Sequence, residues 1–192
     1  MSAAATERTP DLAGDAVFDI ATFLARHPEE NGPSAGDRAE LRRMDPLDAG
    51  LPPAMWKLLT REKVASYAGG SRWQNQVEHA LAIVTQAVLE AGAPGESPIG
   101  RALGLSGYSE QRFVRLLRAR ELSDLATQVR QAARWCAVQG AGLRFTGGAG
   151  SFGRYILAAA LSPPEADRRA HAIARDYFFA TNKAGEPAAT EP

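Results

Sequence analysis

Cysteine occurs once in the 192 residues, at Cys136, and histidine three times, at His27, His79 and His171. A single thiol excludes an intrachain disulfide and a multi-cysteine zinc site. Its position on the apolar side of a helical repeat predicts a buried side chain. The histidines are far apart in sequence and none stands in HExxH or another ligand spacing. No metal or other cofactor is therefore expected, and each histidine reads as structural or superficial. Aromatic residues make up only 7% of the chain, too few for an extended base-stacking platform. No apolar run approaches the ~20 residues that a bilayer span requires. The opening MSAAATERTP lacks the apolar core of a secretion signal. A cytoplasmic protein without a membrane partner is the expectation. Net charge is zero, with 22 basic and 22 acidic residues, so bulk charge does not single out a polyanion partner. Alternating runs of Val, Ile and Thr, the signature of strands, are missing as well.

What remains is helical periodicity almost throughout, which predicts an all-α fold. DAVFDIATFLARH, residues 15–27, repeats Val17, Ile20, Ala21 and Leu24 at helical spacing. Asp37 reads as the N-cap of a helix over 38–44. A short helix is expected in MWKLLTREKVASY, interrupted by Gly69, Gly70 and Ser71, and a long one from about Arg72 to Ala91. Gly92, Pro94, Gly95 and Pro98 mark a boundary between two halves. Beyond it come a GRALGL turn and a helix capped by Ser109 that ends near Ala119. An amphipathic helix follows, with Leu122, Leu125, Ala126, Val129, Ala133 and Cys136 on its core stripe. GAGLRFTGGAG reads as a flexible connection to a helix in SFGRYILAAAL. Ser162-Pro163-Pro164-Glu165 then opens a final helix reaching about Thr181. The expected organisation is a disordered N-terminus over 1–14, a helical unit over 15–92, a basic helical unit over 99–182 and a disordered tail over 183–192.

Catalytic chemistry is not apparent. GGAGSFG, residues 147–153, suggests a phosphate loop but lacks the Gly-Lys-[Ser/Thr] ending and a preceding strand. Ser151 has no nucleophile-elbow context, and Glu29-Glu30 lie in a turn-rich segment. No residue pattern argues for an enzyme.

Charge is distributed unevenly. Residues 1–50 hold five basic and ten acidic side chains, whereas residues 99–192 hold thirteen and eight, and only one of those thirteen is lysine. Guanidinium forks suit phosphate oxygens better than ammonium groups do. In YSEQRFVRLLRAR, residues 108–120, a helical wheel gathers Phe113, Leu116 and Leu117 on one side. Arg115 and Arg118 fall opposite, with Arg112 on the flank. Arg120 swings toward the core side, another sign that this helix ends near Ala119. Arg130 and Arg134 are four residues apart, hence on one face, and Arg168, His171 and Arg175 line another helix. Each row alone is compatible with an ordinary solvated face. Together they read as a cationic track for a polyanion.

The ordered segments GDRAELRRMDP (36–46), PPAMWKLLT (52–60), SPIGRALGL (97–105), SEQRFVRLLRA (109–119) and ARDYFFATNK (174–183) resemble the CasB family. That family is the small subunit of the type I-E CRISPR surveillance complex, Cascade. The resemblance spans about residues 15–183 and rests on the combination rather than on any catalytic motif. It implies two small helical bundles in one elongated molecule, without catalytic activity. The implied partners are a second copy of the chain and the backbone, large and guide-processing subunits, together with guide RNA and target DNA. The implied role is to hold the displaced non-target strand and so stabilise the R-loop. By matching position the resemblance assigns nucleic-acid contacts to Arg42, Arg43, Arg72, Arg101, Arg112 and Arg130; the helical wheels and local charge add Arg115, Arg118, Arg134, Arg168 and Arg169. The GAGLRFTGGAG connection and the acidic N-terminus depart from the family pattern and receive no assignment. Two rival readings stand beside this one: a purely structural helical adaptor whose arginines bind acidic protein surfaces, and a free-standing regulator that binds duplex DNA with sequence preference.

Overall fold

The computed structural model describes residues 12–69, 74–92, 95–148 and 150–185. Among these residues the chain is all-α. Its ten helices are α1 (Leu12–Ala25), α2 (Ala35–Arg43), α3 (Pro53–Leu59), α4 (Glu62–Gly69), α5 (Gln74–Ala91), α6 (Ile99–Leu105), α7 (Glu110–Arg118), α8 (Leu122–Val138), α9 (Phe152–Leu161) and α10 (Pro163–Gly185). A single 3₁₀ turn, Pro28–Glu30, follows α1. No helix among the described residues is long and apolar enough to cross a membrane.

α5 is the centre. From Ala80 to Leu89 every side chain is buried. A helix apolar on all sides must be surrounded, and α5 packs against α1, α2, α4, α8 and α9. Two buried polar side chains within it find partners. Thr85 donates to the Leu81 carbonyl at 2.8 Å, and the Gln86 amide donates to the Met44 carbonyl at 2.5 Å. His79 meets the Pro46 carbonyl through Nδ1 at 2.8 Å, a structural role in agreement with its sequence reading. The buried apolar residues of both halves of the chain run together in one cluster. The expected division into two bundles is a finer statement than these contacts make.

Several local expectations need correction. α1 begins at Leu12, inside the stretch expected to be disordered, and α10 extends to Gly185, beyond Thr181. The N-cap of α2 is Ser34, not Asp37. Ser34 Oγ accepts from the Asp37 backbone N–H at 3.0 Å, and the Asp37 carboxylate accepts from the Ser34 N–H at 3.1 Å, a reciprocal capping box. The expected helix over MWKLLTREKVASY is two helices. Thr60 Oγ1 bonds back to the Trp56 carbonyl at 3.0 Å, and Arg61 turns to the Asp19 carboxylate at 2.6 and 2.9 Å. The Glu40 carboxylate accepts from the Ala54 N–H at 3.2 Å, supplying the cap that Pro52 cannot. Ser109 occupies the N-cap position of α7 but makes no side-chain cap bond.

GRALGL is a helix, α6, rather than a turn. Gly100 and Gly104, four residues apart, face α10, the element with which α6 packs most extensively. A Cβ on Gly100 would overlap the Ile173 carbonyl oxygen, and one on Gly104 would sit 2.7 Å from the Tyr177 carbonyl oxygen. The two helices meet backbone to backbone because those positions have no side chain.

The glycine-rich connection after α8 is pinned rather than flexible. Gly95 N–H donates to the Leu143 carbonyl at 2.9 Å and Arg144 N–H to the Ser97 carbonyl at 2.9 Å, forming a Ser97–Leu143 bridge. Ile99 N–H donates to the Gly150 carbonyl at 3.1 Å, and the Ser151 hydroxyl donates to the Phe145 carbonyl. Ser151 is fully buried and caps α9 by accepting from the Arg154 N–H. Buried backbone groups need partners, and a segment with little side-chain bulk finds them by lying against residues 95–99. Cys136 is buried, and burial pushes its thiol up to about 12.

Candidate nucleic-acid interface

α7 is oriented by its apolar side. Phe113 stacks on Tyr177 with ring centroids 3.8 Å apart and planes 10° from parallel. Leu116 is fully buried, and the Tyr155 hydroxyl donates to the Leu116 carbonyl at 2.8 Å. Burial pushes the Tyr155 phenol up to about 12, so it remains a donor. Arg120 closes the helix. Its guanidinium donates to the Leu117 and Ala119 carbonyls at 2.8 and 3.0 Å and reaches Asp167 at 2.7 Å. Terminal carbonyls that the helix leaves open are thereby satisfied. With one side so anchored, Arg112, Arg115 and Arg118 are turned to solvent, and none makes an ion pair among the described residues. Arg115 and Arg118 also lie in the last turn, where the helix dipole favours cations.

α8 runs beside α7. Arg115 and Arg118 share one cleft with Asp124 and Gln128 of α8, and Arg112 shares the next with Gln131 and Arg134. On the other flank of α8, Arg130 and Arg134 line a cleft of about 570 Å³ with Arg43, at the end of α2. Arg130 also donates to the Arg42 carbonyl at 3.3 Å. Arg134 thus belongs to both clefts and joins the α7 row to the end of α2. Helical periodicity places neither α2 nor α7 near the α8 pair; packing of α2 and α8 on α5, and of α7 on α8, brings them together.

Glu90, on α5, was not visible as part of this surface. It accepts two bonds from Arg134, at 2.7 and 2.9 Å, and lies 3.4 Å from Arg130 Nε. The carboxylate raises Arg134 above its ordinary value through that hydrogen bonding. Two guanidinium groups against one carboxylate leave one positive charge uncompensated.

The remaining candidates are placed differently. Arg168 and Arg169 both pair with Glu165 in the first turns of α10, Arg169 at 2.8 Å. Arg154, which the sequence reading did not single out, joins them: burial first, then the neighbouring Arg169 charge, lowers it from its ordinary value. Arg101 is exposed on α6, and none of the clefts that hold the other arginines includes it. Arg72 lies outside the described residues. The structure therefore gathers Arg43, Arg130, Arg134 and Arg112 around α8, with Arg115 and Arg118 next along the groove. The α10 pair stands apart from them on its own carboxylate. Among the described residues, no three of His, Cys, Asp and Glu come together as metal ligands.

The fold and its exposed chemistry define a class: a helical scaffold that displays guanidinium groups on a rigid frame. The family model described as CRISPR-associated protein Cse2 matches residues 37–178, about three-quarters of the chain, and the chain belongs to that family. Membership makes it a structural subunit of a CRISPR Cascade complex, the small subunit of the type I-E form. No curated protein matches the chain, nor does any solved structure.

Proposed function

We propose that this subunit stabilises the R-loop of type I-E Cascade by holding the displaced non-target strand on the arginines around α7 and α8, without catalysing a reaction. The observation that carries this reading is the exposed row Arg112, Arg115 and Arg118, free of carboxylate partners among the described residues and adjacent to Arg134. A surface built only for solubility interleaves signs. R-loop formation exchanges one duplex for another of similar stability, so a small bias decides its lifetime. Retaining the displaced strand removes the competitor for rehybridisation. Phosphate contacts do not read sequence, so little base preference at the phosphates is expected. The partners would be guide RNA, target DNA, the backbone, large and guide-processing subunits and a second copy of the chain, all in the cytoplasm.

The adaptor reading draws on a different observation. Arg168 and Arg169 already take a carboxylate, Glu165, and such a pair can exchange it for one on a protein neighbour. The test is the R112A/R115A/R118A variant in the assembled complex, with R-loop lifetime followed at several salt concentrations. The proposal expects a shorter lifetime and a salt slope shallower by about 2, at ~0.7 per phosphate contact. Intact assembly with lifetime and slope unchanged would give the adaptor reading the field.

A further inference from the structure

The groove between α7 and α8 widens into a pocket of about 400 Å³ walled by Tyr108, Arg112, Gln131, Arg134, Trp135 and Val138. Its neighbours along α8 are lined by polar and aliphatic side chains, whereas this one is lined by an indole and a phenol ring together with two arginines. We propose that the pocket takes one unpaired nucleobase of the bound strand, with the Trp135 ring as its stacking surface and Arg112 and Arg134 on the flanking phosphates. This inference rests on the strand-holding reading above and adds a base-binding subsite to it.

The indole is fixed before any ligand arrives. Trp135 Nε1 donates to the Ser106 carbonyl and hydroxyl at 3.2 and 3.1 Å, and the ring meets Tyr108 edge-on, with centroids 5.9 Å apart at 63°. Its one polar atom is satisfied, so what the ring offers is π surface, held rigid and therefore ordered at little cost on binding. Val138, which lines the pocket, is 81% exposed, and Leu105, next in sequence to the Ser106 that anchors the indole, is 58% exposed. Tyr108, 2% exposed, backs the indole as a buried wall of the pocket.

An aromatic ring and two cations lining one pocket match the chemistry of a nucleotide unit: a base has a π face, and its phosphates are anionic. Stacking is tolerant of base identity, so a preference for unpaired over paired DNA is expected, with little preference among bases. The exposed Gln131 amide is the group able to bias that choice through a base edge.

The test compares two single strands of equal length and charge, an oligothymidine and the same strand with abasic positions, against the full chain alone and in the assembled complex. Trp135 fluorescence is followed in a W56F/W73F background. Oligothymidine is expected to quench it and the abasic strand is not. The W135L variant, with its helical circular dichroism checked against wild type, is expected to lose about tenfold in affinity for oligothymidine and nothing for the abasic strand. W135F should retain most of the difference, and the salt slope should not change. Equal binding of both strands by wild type overturns the pocket and leaves the phosphate reading standing. Absence of salt-dependent binding to either strand brings down both. A W135L variant that retains the strand but fails to assemble assigns the pocket to a protein neighbour and overturns the inference.

Discussion

Replacing Glu90 by glutamine should tighten nucleic-acid binding while weakening the fold. Among the described residues, Glu90 is the one carboxylate that the α8 arginines share, bidentate to Arg134 at 2.7 and 2.9 Å and 3.4 Å from Arg130. A strand reaching these guanidinium groups must compete with it. Removing its charge frees about one further cation for phosphate. The plot of log affinity against log salt should then steepen by about 0.7. Over a fourfold fall in salt, from about 200 to 50 mM, the variant's gain in affinity should exceed that of wild type by roughly 2.6-fold, the value that this slope gives. The same ion pair ties α5 to α8. Arg134's side chain is 61% exposed and solvent screens it, so the loss of stability should be only about 0.5–1 kcal/mol. That corresponds to a melting temperature lower by about 1–4 °C for a chain of this size. Fluorescence anisotropy of a labelled single strand, titrated at several salt concentrations beside a thermal melt, reads both effects. An unchanged slope would show that Arg130 and Arg134 meet no phosphate. A shallower one would mean that Glu90 holds them in their binding geometry, and the competition argument would then fail.

Other outcomes can be checked on the isolated chain. Gly100→Ala places a methyl group against the α10 backbone at Ile173; overpacking outweighs the gain in helix propensity, for a net loss of about 2 kcal/mol and a melting temperature lower by about 4–8 °C. Cys136, buried and with its thiol pushed up to about 12, should resist alkylation at pH 8 in the native protein and react once urea unfolds it. Asp37 is held below its ordinary 3.8 first by the hydrogen bond from Lys57 and then by Ser34. A carboxyl lowered by folding stabilises above its unfolded value, and that contribution is lost as pH falls through the folded one. Acid titration below about pH 4 should therefore destabilise wild type more than D37N. Ser34→Ala removes the cap of α2 and should cost about 1 kcal/mol in a urea melt.

The helices of the second half could be read from periodicity because their apolar stripes are one-sided. α7 is the clearest case: Phe113 and Leu116 lie inward, Arg112, Arg115 and Arg118 outward. The Arg130–Arg134 pair followed from a four-residue spacing in the same way. α5 was legible only in part, because a helix buried on all sides has no stripe to reveal which partners surround it. Ser34 escaped notice as a cap because Asp37 offered an equally good one three residues later, and the two turned out to be halves of one motif. GRALGL looked like a turn because two glycines in six residues argue against a helix until a second backbone is found pressed on them. The glycine-rich connection looked flexible for the same reason: its order comes from hydrogen bonds to residues 95–99, some fifty positions earlier.

By itself the sequence determined that the chain is helical, which face of each surface helix is cationic, and that no disulfide can form, for these follow from short spacings and residue counts. Only the tertiary structure decided which rows lie beside one another, that Glu90 sits among the α8 arginines while Glu165 holds the α10 pair, and that Trp135 shares a pocket with Arg112 and Arg134. Helical spacing fixes where a side chain points around its own axis and carries no information about the distance to another helix. That distance is set by the buried surfaces that pack the helices together.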